Sequence, residues 1–104
     1  MLVCTTWKAR PLTREQTNRM MQTWGKLQAA MDENPSVQRL SWYIFDDGSG
    51  GITITKYLDV EAASAIALET SLALSEFLEF DSKVVLDQET AMPAILKAVE
   101  HVNS

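Results

Sequence analysis

The stretch Val37–Tyr57, VQRLSWYIFDDGSGGITITKY, most narrows what this chain can fold into. Val37–Phe45 and Ile52–Tyr57 are built largely of β-branched and aromatic residues, and Asp46-Asp47-Gly48-Ser49-Gly50-Gly51 between them tolerates positive φ. Two β-prone runs around such a turn predict a β-hairpin. The turn superficially looks like a calcium or phosphate loop. It lacks the distal Glu of an EF-hand and the Gly-Lys-Ser/Thr ending of a phosphate loop, and it joins two strands.

The remaining elements fall into place around the hairpin. Leu2–Lys8 reads as a first strand stopped by Arg10-Pro11, because proline removes a ladder donor. Thr13 is set to cap a helix with Gln16 at the capping-box position, and Thr17, Met20, Met21, Trp24, Leu27, Gln28 and Met31 give it one stripe. The spacing ends this helix at Glu33-Asn34-Pro35, with Asn34 expected in the left-handed cap conformation. Asp59 opens a second helix over Val60–Leu74, whose inner side of small residues predicts close approach to its neighbour. Glu79–Leu86 reads as a fourth strand. Asp87 or Thr90 caps a last helix, with Pro93 near its first turn and Ile95, Leu96, Val99 and Val102 as an apolar stripe.

This order, βαββαβ with an extra C-terminal helix, predicts an α+β ferredoxin-like domain spanning residues 1–104. The expected strand order is 4-1-3-2, with both crossover helices on one face of an antiparallel sheet. A chain of 104 residues can bury about 65% of its unfolded surface in a single core.

Composition excludes several classes. A net charge of −5 and the lack of any basic run argue against nucleic acid. The lone Cys4 can form neither an internal disulfide nor a structural zinc site, which suggests a reducing, cytoplasmic compartment. Ala62–Leu74 is too short and too polar to span a membrane, and no signal-peptide pattern precedes Leu2.

Strand alternation sorts the sheet residues into two sets. Leu2, Cys4, Thr6, Leu40, Trp42, Ile44, Ile52, Ile54, Phe80 and Val84 form the more apolar set, expected under the helices. Val3, Thr5, Trp7, Ser41, Tyr43, Phe45, Thr53, Thr55, Tyr57, Asp81, Lys83 and Val85 mix rings with hydroxyls and are expected on the open face. An amphipathic patch of this size predicts a homodimer joined through the sheet face, with the fourth strand or last helix exchanged or draped over the partner.

The first strand ending in Thr6-Trp7, the hairpin, and Leu74–Phe80 leading into Val84-Val85-Leu86-Asp87 resemble the dimeric α/β-barrel superfamily. Within it the chain is most similar to small bacterial one-domain proteins of unknown function. Members of that superfamily include cofactor-independent monooxygenases, haem-degrading enzymes, muconolactone isomerases and stress-response dimers. The resemblance implies a fold and a dimer and leaves the reaction open.

Candidate chemistry is sparse. His101 is the only histidine, which rules out a two-histidine metal site, and its place near a helix C-terminus suits a surface cation. It does not match the histidine of the haem-degrading relatives. No metal or cofactor is expected. Asp81 and Lys83 share a strand face and are expected beside Thr5 and Trp7, as a rim ion pair or as an acid or base with a shifted pKa. Trp7, Tyr43 and Tyr57, with Thr55 and Asp81, form a candidate binding set for a small hydrophobic or aromatic ligand. The same residues also suit plain packing. Two functions follow: a non-catalytic ligand-binding or protein-interaction module, or a cofactor-independent monooxygenase or isomerase acting on an aromatic or enolisable substrate.

Overall fold

The computed structural model describes all 104 residues. Its elements are β1 (Leu2–Ala9), α1 (Arg14–Asp32), β2 (Val37–Ile44), β3 (Gly50–Tyr57), α2 (Val60–Leu74), β4 (Leu78–Val85) and α3 (Gln88–Asn103). The four strands form one antiparallel sheet in the order β2-β3-β1-β4, the ferredoxin-like arrangement expected from the sequence. No helix is long and apolar enough to cross a membrane.

Local chemistry sets the element ends. The Thr13 hydroxyl accepts from the Gln16 amide, and the Gln16 side chain accepts from the Thr13 amide, closing a complete capping box. Asp59 and Asp87 start α2 and α3 by accepting the Glu61 and Thr90 amides. Three details differ from expectation. Asn34 does not adopt a left-handed cap; α1 ends at Glu33 in the right-handed region, and the Asn34 carboxamide instead accepts the Ser36 amide. Pro93 lies inside α3, beyond its first turn. Of the hairpin loop only Gly48 has positive φ, while Gly50 and Gly51 already belong to β3.

The larger correction concerns which side of the sheet faces the helices. Val3, Thr5 and Trp7 of β1 pair across the ladder with Thr55, Thr53 and Gly51 of β3 and with Val84, Ser82 and Phe80 of β4. Directly paired residues share a face, and this is the face beneath α1 and α2, where Trp7, Thr55 and Tyr57 are buried. The expected assignment is therefore reversed for β1 and β3. It holds for Trp42, Phe80 and Val84, which lie on the helix side, as expected. The phase between strands comes from pairing, and the apolar character of single strands does not reveal it. A bulge at Leu40 also breaks the simple alternation of β2. The hydroxyl-and-ring side is shielded by the chain's own helices.

The core is lopsided. Trp7, Leu74, Phe77 and Leu78 close one end, supported by Leu12, Met20, Trp24, Leu27 and Phe80. Trp24 of α1 meets Trp7 edge-on at 5.2 Å and stacks on Trp42 of β2 at 5.7 Å, and the Arg39 guanidinium lies 4.7 Å above Trp42. Each aromatic pair contributes about 0.5–1.5 kcal/mol beyond area burial. Gly51 makes this possible: a β-carbon there would collide with the Trp7 ring and the Tyr43 carbonyl.

Gly51→Ala should accordingly cost about 1–3 kcal/mol through overpacking, whereas Gly25→Ala, in open space on α1, should stabilise by up to about 1 kcal/mol. Urea denaturation of both variants checks the pair, and equal effects would contradict the placement of Gly51 against Trp7.

Candidate functional site

At the other end of the sheet the helices do not close the core. The inner side of α2 presents Ala63, Ala67, Thr70 and Ser71, too small to reach the strands, and a cavity of about 240 Å³ remains. The small residues thus leave space where close approach was expected. A closed apolar void of that volume would cost on the order of 6 kcal/mol. This one has an open mouth and hydroxyls in its floor, so water can enter.

Each wall has a different chemistry. The sheet supplies Val3, Thr5, Thr53, Thr55, Tyr57 and Ser82, an array of hydroxyls set by the alternation of three adjacent strands. The Thr5 and Ser82 hydroxyls hydrogen-bond each other at 2.8 Å. Trp7, Trp24, Phe80 and Leu74 wall the packed end, while Leu27 and Met31 of α1 and Ile66 of α2 supply flexible apolar surface.

Arg39 is the basic side chain on the β2 side of the cavity. Its guanidinium donates to Asp32 at 3.1 Å and to the Gln28 side chain, and the Trp42 ring lies beneath it. Asp32 is mostly exposed, so solvent weakens its hold on Arg39. No acidic residue, histidine or cysteine lines the cavity, and no three potential metal-binding side chains converge anywhere in the chain. Trp24 Nε1 is buried without a hydrogen-bond partner, and such a group costs about 1–3 kcal/mol.

The structure separates the five residues singled out from the sequence. Trp7, Thr55 and Tyr57 line the cavity together. Tyr43 and Asp81 do not join them. Tyr43 is 67% exposed and pairs with Ile52 on the opposite face. Asp81 pairs with Thr6, also on the opposite face, and its carboxylate lies 3.6 Å from the Lys83 ammonium. The expectation that Asp81 and Lys83 pair beside Thr5 and Trp7 is thereby corrected: they pair with Thr6 and Cys4, one residue out of register, and of the two only Lys83 reaches the edge of the cavity. Trp24, Arg39 and Ser82 went unrecognised as cavity residues. Arg39, the one charged residue inside an otherwise β-prone run, was the available signal.

No protein-family model matches the chain, and no curated protein matches it by sequence. Solved structures share its fold. SnoaB, a cofactor-independent oxygenase from Streptomyces nogalater, superposes with a TM-score of 0.56 at 12% identity, covering 84% of this chain and 93% of that one. A candidate antibiotic biosynthesis monooxygenase from Nitrosomonas europaea gives 0.56 at 12% identity, covering 83% and 99%. Rv0793 from Mycobacterium tuberculosis gives 0.55 at 14% identity, covering 84% and 95%. The chain therefore shares the ferredoxin-like fold of these structures.

Burial pushes the Tyr57 phenol up from its ordinary value, and the Thr55 hydroxyl offsets part of the rise. The folded chain holds this proton more tightly than the unfolded one. Its contribution to stability is complete below about pH 10 and is lost as pH rises from there through the folded pKa. The stability difference between the wild type and Tyr57→Phe should stay constant to about pH 9 and shrink above pH 10. Urea titrations from pH 7 to 11 read this directly, and a flat difference would show that Tyr57 is not desolvated.

Proposed function

We propose that the cavity binds a small oxygenated aromatic molecule of one or two rings, and that the protein acts as a non-catalytic homodimeric binding module. The single observation that carries this reading is the lining of the cavity: hydroxyl donors on the floor, rings at the closed end, a guanidinium at the side, and neither carboxylate nor imidazole. Ligand pockets usually run from about 300 to 1,000 Å³, so a volume of about 240 Å³ favours a compact ligand over an extended polycycle. Tyr57, kept protonated by burial, serves as a donor to a ligand oxygen. Arg39 favours a ligand that carries negative charge.

The dimer uses the opposite face of the sheet. Leu2, Cys4, Ile52, Ile54 and Val85 form its half-buried apolar centre, with Lys8, Lys56, Glu79 and Lys83 around them. An apolar centre with a charged rim is the ordinary anatomy of an interface. This arrangement leaves the cavity free, since the two sites lie on opposite faces.

A second reading has one observation in its favour. SnoaB is named a cofactor-independent oxygenase, and a substrate acidic enough to ionise unaided would need hydrogen-bond donors more than a protein base. Under this reading the chain is a monooxygenase or isomerase for an enolisable aromatic. Oxygen uptake, or substrate isomerisation, that depends on the protein would decide for it over the binding module.

A thermal-shift screen with hydroxylated one- and two-ring aromatic acids tests the binding reading. A ligand at 100 times its Kd should add about 2.7 kcal/mol of stability. Thr55→Val and Arg39→Met should each reduce the shift, while Asp81→Asn on the far face should leave it intact. A shift insensitive to Thr55 and Arg39 would place the ligand elsewhere. For the dimer, Ile54→Glu should convert the protein to protomers in sedimentation equilibrium at micromolar concentration, because it buries a charge at the centre of the contact.

A further inference from the structure

Asp32 sits where a helix least favours an acid. It is the last residue of α1, whose final turn carries no basic side chain, and the free carbonyls at a helix C-terminus repel a carboxylate. Arg39 is the one side chain the structure gives Asp32 as a partner, at 3.1 Å. The helix itself therefore offers Asp32 nothing, and its place is accounted for by the guanidinium.

The need on the other side is greater. Of the two basic residues on the cavity's lining, Lys83 turns its ammonium to Asp81, which leaves Arg39 as the side-chain cation that a ligand meets. The Arg39 side chain is 21% exposed and that of Asp32 is 68% exposed. A largely buried guanidinium needs an opposite charge, and its other two contacts, the Gln28 side chain and the Trp42 ring, are neutral. Gln28 and Asp32 take one N–H each, which leaves three of the five donors of the fork free. Arg39 and Gln28 line the cavity, and Asp32 does not. A ligand carboxylate inside the cavity and Asp32 outside it thus approach one cation from different sides.

We propose that Asp32 is a resident counter-ion for Arg39, and that a carboxylate on the bound aromatic displaces it. This deepens the binding reading and rests on it: it names the ligand as an acid and identifies Asp32 as a residue that sets specificity. The exposed pair is weak because water screens it. A carboxylate held in the cavity can take the fork two-pronged and with less water around it, which makes the stronger contact. Gln28 keeps the guanidinium in place during the exchange. A neutral ligand brings no charge to replace Asp32, so the Arg39–Asp32 pair stays closed and the ligand gains nothing from the cation.

Calorimetric titration of the full chain at low salt tests this, with 1-hydroxy-2-naphthoate and its neutral amide as probes. Wild type should bind the acid more tightly than the amide. Asp32→Asn and Asp32→Ala should each bind the acid about 3- to 5-fold more tightly, the upper range for releasing an exposed ion pair, with the amide unchanged. Glu33→Gln, which removes the neighbouring carboxylate, should have a smaller effect. Arg39→Met should erase the preference for the acid and make Asp32→Asn silent in the double variant. An acid that binds equally well or less well after Asp32→Asn, with its preference over the amide intact, overturns the exchange and leaves the binding reading standing. Equal gains for acid and amide also reject the exchange, since they report a loosened helix end. If neither probe binds any of these proteins, the binding reading fails and the exchange fails with it.

Discussion

Everything in this fold depends on how the three tryptophans meet. Trp7 on β1, Trp24 on α1 and Trp42 on β2 come from three successive elements, and their rings pack α1 against the sheet. The contact works only because β3 offers a glycine where the Trp7 ring passes and because the bulge at Leu40 turns Trp42 towards the helix. Once α1 is held at that end, the other end of the layer is left to the small residues of α2, and there the interior stays hollow. The cavity is thus a consequence of where the bulky side chains were placed.

Much of the architecture was legible in the sequence because it is encoded locally. The capping box at Thr13 and Gln16, the caps at Asp59 and Asp87, and the glycine-rich hairpin each declare themselves within a few residues. The strand order follows from the order of elements. The side of the sheet was not legible, and Tyr43 and Asp81 show why. Each is a sensible candidate by residue type, but a strand's face is a matter of parity. Parity between strands is set by a ladder whose register depends on Gly51 fitting beneath Trp7 and on one extra residue in β2. Hydrophobicity gave the wrong answer for β1 because its helix-facing residues, Val3, Thr5 and Trp7, include the hydroxyl that floors a cavity. Hydroxyls lining an internal cavity defeat a rule that sends polar residues outward.

The correction changes the division of labour between the two faces. With Trp7, Thr55 and Tyr57 under the helices, the outer surface of the sheet has Leu2, Cys4, Ile52 and Ile54 at its centre, flanked by Tyr43, Thr6 and Asp81. The cavity and the apolar outer surface thereby fall on opposite sides of one layer a single sheet thick. Alternate residues of the same strand belong to the two sides: Cys4 faces outward, while its neighbours Val3 and Thr5 face the cavity.

The proline within α3 has a consequence for the helix that holds it. Pro93 cannot donate to the Glu89 carbonyl, so a segment of sixteen residues loses one of its few internal bonds. Its sixteen residues lie only just beyond the length, about 12–15, below which isolated helices are marginal in water. The single chain nonetheless forms α3 as one continuous helix through Pro93, started by the Asp87 cap.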